Sequence, residues 1–240
     1  MTKKDKLGDM LIGGLQKITL IDFPGHIAAT VFTVGCNFSC PFCHNPELVD
    51  GVRIKEQPLL SEDDFFNFLK LKQGLLEGVC ITGGEPTIHP DLLHFIDKIK
   101  RMDFKIKLDT NGSRPDILGK LLNKRLVDYL AMDIKGPLEK YHQIVGSQID
   151  LERIHESTVL ARQFPDYEFR TTVVPGLHKK ADFLSIARWL EGAKKYFLQQ
   201  FRPGKTLDVN FSKKQPYPDE KLAEFSRVVE PYFEVCKIRI

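Results

Sequence analysis

No apolar run in this 240-residue chain approaches the roughly 18 residues that a membrane-spanning helix requires, so a bilayer-spanning role is not expected. An excess of one charge sign is missing as well. Thirty-five Lys and Arg against 32 Asp and Glu leave a formal +3, too balanced to single out nucleic acid as the partner. The opening Met1–Met10 stretch holds no clean apolar signal core, because Asp9 interrupts it. Cysteine is scarce: five residues, an odd number, which without a secretion signal argues against a disulfide framework. No low-complexity tract or long linker divides the chain. These absences together lead to the expectation of a cytoplasmic protein that works without nucleic acid or membrane.

What remains is an ordinary globular composition, 42% hydrophobic and 28% charged, which excludes disordered and fibrous classes. At roughly 150 residues per domain, the length allows one large domain or two small ones. A chain of this size buries roughly 70–75% of its extended surface and needs no covalent staples.

Along the chain a rhythm repeats: an apolar run, a loop, a helical stripe. The runs are Ala28–Val34, Gly78–Thr82, Lys105–Asp109, Val127–Asp133, Tyr167–Val174 and Tyr196–Phe201, each short and bounded by Gly, Pro or charge, which predicts buried strands. Leu92, Phe95, Ile96 and Ile99 recur at helical spacing after Pro90-Asp91, and Phe183, Ile186, Ala187 and Leu190 after Asp182. Ser61 with Asp64 opens a third helix carrying Phe65, Phe68 and Leu69. Ile117, Leu118, Leu121 and Leu122 predict another, as do Leu151, Ile154, Thr158 and Ala161. Strands alternating with helices imply parallel βαβ units. Since a full eight-unit barrel takes roughly 250 residues, six visible units point to an α/β fold with a partial (βα)6 barrel. The whole of 1–240 is expected as one domain, with a core near 20–203, a leading strand within 11–21, and a closing helix and strand within 218–240.

In such folds ligands gather where the parallel strands end. Those ends read Gly35-Cys36 through Cys43-His44-Asn45, Gly83-Gly84-Glu85-Pro86, Asp109-Thr110-Asn111-Gly112, Asp133-Ile134-Lys135, and Arg170 before Pro175-Gly176. Cys36, Cys40 and Cys43 form C-x3-C-x2-C, and three thiolates in eight residues select Fe–S, Zn or Cu(I). Structural zinc asks for four ligands, and the nearby fourth, His44, sits awkwardly beside Cys43. A [4Fe–4S] cube held by three protein thiolates would leave one iron open to a ligand. Cys80 and Cys236 stand alone in apolar surroundings and read as core residues. No convincing nucleophile–His pair is present.

C-x3-C-x-aromatic-C followed by Gly-Gly-Glu-Pro resembles the radical S-adenosylmethionine (SAM) superfamily. Asp22-Phe-Pro-Gly25, the Cys36–Glu47 stretch and Asp133-Ile-Lys135 are similar to its glycyl-radical-enzyme activases, most of all those serving anaerobic ribonucleoside-triphosphate reductase. The resemblance covers about residues 12–203 and implies the following. Cys36, Cys40 and Cys43 hold three irons of one cluster, and the methionyl amino and carboxylate groups of SAM chelate the fourth. Phe42 lies against the adenine, with backbone groups of Phe42 and His44 reading its edge. Gly83, Gly84 and Glu85 border the methionyl ammonium, a bare glycine allowing close approach. Asp109, Thr110 and Asp133 gather a monovalent cation or support SAM, while Lys135 and Arg170 lie near its carboxylate. An electron from a flavodoxin- or ferredoxin-type donor cleaves SAM to methionine and a 5′-deoxyadenosyl radical, which takes hydrogen from a glycine of the partner enzyme.

Two departures are visible. The segment Leu198–Pro203 lacks a histidine that some activases place near the ribose, leaving Gln200 or Arg202 as stand-ins. No cysteine lies between Cys43 and Cys80, so a second cluster is not expected. The rim receiving the partner's loop is expected around Asp22–His26 and Asn45–Gly51. The rival readings are a radical SAM enzyme modifying a small molecule or peptide, and a zinc-stabilised interaction module.

Overall fold

The computed structural model describes residues 10–56 and 58–240, and among them eight strands pair in chain order into one sheet. The strands are β1 (Ile12–Thr19), β2 (Ala28–Thr33), β3 (Gly78–Gly83), β4 (Lys105–Thr110), β5 (Tyr129–Asp133), β6 (Tyr167–Val173), β7 (Lys195–Gln200) and β8 (Val235–Arg239). β1 runs antiparallel to β2, and every later pair is parallel. β1 and β8 each have a single neighbour, so the sheet has the sequential order of a barrel and remains open along one side. The expected (βα)6 core is there, and β8 continues it in parallel register beside β7. Among the described residues no helix is long and apolar enough to cross a membrane.

The helices are α1 (Pro46–Val49), α2 (Gly51–Ile54), α3 (Glu62–Leu71), α4 (Leu92–Lys100), α5 (Pro115–Asn123), α6 (Tyr141–Val145), α7 (Leu151–Ala161), α8 (Lys180–Trp189), α9 (Val209–Ser212) and α10 (Asp219–Val229). Local signals set several starts. Ser61 Oγ accepts from the Asp64 amide at 3.1 Å at the head of α3, Pro115 opens α5, and the Asp182 carboxylate accepts from the Lys179 amide at 3.0 Å in α8. The stripes Leu92, Phe95, Ile96, Ile99 of α4 and Phe183, Ile186, Ala187 of α8 are buried as their spacing requires.

Successive side chains of a strand point to opposite faces, and here the two faces differ in chemistry. Val31, Ile81, Ile106, Leu108, Leu130, Met132 and Phe169 join the helix stripes in one large apolar core. The alternate set, Lys107, Asp109, Asp133, Glu168 and Arg170, is tied together by ion pairs. The polar set therefore faces the hollow side of the sheet.

The turn 20–27 lies at the opposite end from the one expected of it. Phe23 packs with Ala28, Tyr129 and Ala131, and its ring meets Tyr129 edge-on at 6.2 Å. Ala28 and Tyr129 are the first residues of β2 and β5, so Phe23 plugs the hollow where the parallel strands begin. β1 enters antiparallel and must hand the chain over at that end. Phe23 is thus a floor of the hollow, while Asp22 and Pro24 line a cleft beside it.

Candidate functional site

The cysteine loop follows β2, and later segments clamp it through its backbone. The Ser39 amide donates to Val145 O at 2.9 Å, Leu207 to Cys43 O at 3.1 Å, and Asp208 to Pro41 O at 2.9 Å. His44 hydrogen-bonds to Arg202 O at 2.8 Å and stacks on Phe201. Cys36 Sγ accepts from the Phe38 amide at 3.4 Å and from Asn111 Nδ2 at 3.9 Å, donors that stabilise sulfur bearing negative charge. Burial pushes the Cys36 thiol up to about 12, with the Glu85 charge adding to it. Burial likewise pushes Cys40 up to about 11 against the nearby charge of Lys135, and raises Cys43. Thiols so desolvated shed their protons when a soft cation replaces the lost hydration.

The three cysteines line one pocket of about 200 Å3 together with Phe42, His44, Gly83, Gly84, Glu85, Asp109, Thr110, Asp133, Lys135 and Arg170. The cysteines and the residues expected against SAM thus meet in a single hollow at the ends of β2 to β6, whereas Gln200 and Arg202 line the neighbouring cleft. Among the described residues no three His, Cys, Asp or Glu side chains close on one metal ion. A cube spreads its irons over separate corners, and three thiols around one hollow with no fourth protein ligand suit it.

Gly83 and Gly84 are small for a reason internal to the chain. A Cβ on Gly84 would overlap the Gly35 carbonyl, and one on Gly83, whose φ is +112°, would meet the Thr33 backbone. The close approach is made by the chain's own β2–Cys36 turn, held by Gly84 N to Thr33 O and Glu85 N to Gly35 O, both 2.8 Å.

Glu85 is likewise committed to the protein. Only 1% exposed, its carboxylate accepts from the Thr87 amide at 3.0 Å, Thr87 Oγ1, Thr110 Oγ1 at 2.7 Å and the Asn111 amide at 2.6 Å. It lines the pocket, yet both oxygens are engaged in joining the ends of β3 and β4. Burial raises its pKa, and these donors pull the other way. Glu85→Gln would turn an amide N–H2 toward one of those donors. It is expected to lower stability by about 2–3 kcal/mol, read as the shift in denaturant midpoint; an unchanged midpoint contradicts this role.

Beside this tie runs a chain of buried ions. Asp109 pairs with Lys107 and, at 2.9 Å, with Arg170; Asp133 pairs with Arg170 and, at 2.8 Å, with Lys135. Burial alone would raise both carboxylates, but Arg170 with Lys107 holds Asp109 below the usual range, and Arg170 with Lys135 holds Asp133 well below it. All four carboxylate oxygens are engaged by side-chain cations, so a monovalent cation would have to displace one of them. Three cations against two carboxylates leave this group with one surplus positive charge.

Lys107 and Glu168, the next layer down, were not among the sequence candidates. The signal was present: Lys105-Ile-Lys107-Leu-Asp109 and Tyr167-Glu168-Phe-Arg170 alternate charge with apolar residues, which a strand buried on two apolar faces would not do. Below and beside the pocket, a cleft of about 690 Å3 runs between Ile21, Asp22 and Pro24 on one edge of the sheet and Gln199, Gln200, Arg202, Arg239 and Ile240 on the other. It shares His44, Asp109, Arg170 and Thr172 with the pocket, so the two lie side by side.

Comparison with known proteins agrees with this site. The sequence profile of the radical SAM superfamily matches residues 30–190. A Methanocaldococcus jannaschii protein named "Putative glycyl-radical enzyme activating enzyme" is 31% identical over 236 residues, covering 95% of each chain. The pyruvate formate-lyase-activating enzyme of Streptococcus mutans is 25% identical over 193 residues, 77% of this chain and 73% of that one. In fold, Streptococcus suis SuiB bound to its precursor peptide SuiA superposes with a TM-score of 0.66 at 12% identity, over 86% of this chain and 47% of that one. With its three cysteines on one hollow at the ends of a parallel sheet, the chain belongs to the radical SAM superfamily, a family of [4Fe–4S] and SAM enzymes, in the line of its glycyl-radical enzyme activating enzymes.

Proposed function

We propose that this chain generates a glycyl radical on a partner enzyme, with anaerobic ribonucleoside-triphosphate reductase as the first candidate. The observation that carries the reading is the lateral cleft lying directly beside the cysteine-lined pocket, with four lining residues in common, because a glycine on another polypeptide must be brought to a ligand held at the cluster. In this reading Cys36, Cys40 and Cys43 ligate the cluster, and the other pocket residues receive SAM. Cluster and SAM together supply a one-electron reductive cleavage that produces a hydrogen-abstracting radical.

The remaining work belongs to the protein's side chains. Phe42 offers an aromatic face to the adenine, with the backbone of Phe42 and His44 at its edge. The Gly83–Gly84–Glu85 backbone borders the methionyl ammonium. The surplus positive charge shared by Lys107, Lys135 and Arg170 with Asp109 and Asp133 favours a carboxylate, and Lys135 is the cation of this group whose charge acts on Cys40. Thr110 supports the site through Glu85. No proton transfer to substrate is required, so these ionic groups act by orientation and by excluding water. A flavodoxin- or ferredoxin-type protein supplies the electron.

Anaerobic incubation of the reconstituted protein with SAM, a reductant and anaerobic ribonucleotide reductase is expected to produce a glycyl doublet by electron paramagnetic resonance, with about one methionine released per radical formed. Pyruvate formate-lyase serves as the comparison partner. Sustained SAM cleavage with no doublet on either partner overturns the glycyl reading in favour of a small-molecule or peptide substrate.

A further inference from the structure

The ion chain of the site does not end at Arg170. Glu168, two residues earlier on β6, has a side chain with no exposure and lies 4.0 Å from Arg170 Nη1. Its carboxylate accepts from Tyr129 Oη at 2.6 Å and from both ends of the Arg239 guanidinium, at 2.6 and 2.7 Å. Arg239 belongs to β8, opposite Gln199 in the register, and lies outside the 30–190 segment that defines the superfamily core. Its guanidinium also stacks 3.5 Å above the Phe197 ring, which fixes the plane of the fork.

We propose that Arg239 is a positioning residue for SAM binding: by neutralising Glu168 it leaves Arg170 free to hold Asp109 and Asp133. Glu168, Asp109 and Asp133 compete for a single cation. Without Arg239, a buried carboxylate with one phenol donor faces Arg170 as its nearest cation, because Lys107 and Lys135 are committed to Asp109 and Asp133. An uncompensated buried charge is far more costly than the absence of a complete pair. Arg170 is therefore drawn down toward Glu168, and Asp109 and Asp133 lose the contact that joins β4 to β5 at the pocket floor. In this view β8 is part of the binding apparatus, although none of its residues lines the cysteine pocket. The inference rests on the reading that SAM lies against the Asp109–Arg170–Asp133 group.

The test is a cycle of variants read by SAM dissociation constant on cluster-loaded protein, with iron content and thermal unfolding measured on the same samples. Arg239→Ala is expected to weaken SAM binding about tenfold at unchanged iron content. Arg239→Ala with Glu168→Gln is expected to recover to within about threefold of the parent, since the competing charge is then gone. Arg239→Lys keeps the charge and the stem without the fork. Its expected loss is about threefold, again reversed by Glu168→Gln, and it carries the test if the alanine variant does not fold. Parental affinity in the Arg239 variants overturns the proposal. So does a double variant that stays as weak as the single one, because β8 would then act only as a structural edge. Arg170→Gln separates the two readings: if it binds SAM like the parent, the site assignment itself fails, whereas sensitivity at Arg170 with indifference at Arg239 defeats this inference alone.

Discussion

Cys40→Ala is expected to reduce iron and sulfide in the reconstituted protein to background and to abolish formation of 5′-deoxyadenosine with dithionite, while the sheet remains folded. Cys40 is buried at 6% exposure, yet it sits on a loop between β2 and α1 and not within the parallel sheet. Replacing its sulfur with hydrogen removes about one methylene equivalent of apolar burial, on the order of 1 kcal/mol. The loop itself is held by backbone bonds from Ser39, Leu207 and Asp208, which the substitution leaves intact. Far-ultraviolet circular dichroism and the unfolding midpoint should therefore change little. A variant that still cleaves SAM refutes the ligand assignment; one that unfolds outright refutes the peripheral place of the loop.

Gly84→Ala is the second substitution with a large expected effect, and its outcome depends on what the glycine touches. Were the space above Gly84 reserved for SAM alone, a methyl group would weaken SAM binding and spare the cluster. The structure instead puts the Gly35 backbone carbonyl where that methyl would go. Backbone cannot swing aside like the end of a flexible side chain, so the overlap must displace the Gly35–Cys36 turn, at about 1–3 kcal/mol. Cys36 is the next residue, and its sulfur loses its alignment with the Phe38 and Asn111 donors. Iron retention during gel filtration and SAM affinity are accordingly expected to fall together, SAM binding by about tenfold or more. Full iron retention with selective loss of SAM binding would refute this coupling through the Gly35–Cys36 turn.

Much of the architecture was legible because it is written locally. Short bounded apolar runs gave β2 to β7 within two residues at each end, and the three-residue and two-residue gaps of the cysteine loop announced a shared ligand. Strand ends were informative for a topological reason: parallel units deliver all their following loops to the same end. Less was legible where a residue's meaning depends on a distant partner. Glu85 looked like a free carboxylate until Thr87, Thr110 and Asn111 closed around it. Asp109 and Asp133 read as residues that gather a monovalent cation or support SAM, and the sequence did not show that Lys107, Lys135 and Arg170 engage their oxygens. Phe23 sits one short turn from β2, yet the antiparallel entry of β1 decides which end of the hollow it fills.

The amino-acid sequence by itself determined the periodicities, the loop spacings and the kinds of atom available, because these follow from backbone geometry and side-chain chemistry within a few residues of each position. Only the tertiary structure decided which charges meet. Lys107, Asp109, Asp133, Glu168, Arg170 and Arg239 come from four strands, and Lys135 from the loop after β5; they converge only when register brings them to one hollow face, where low solvent access makes each pairing matter.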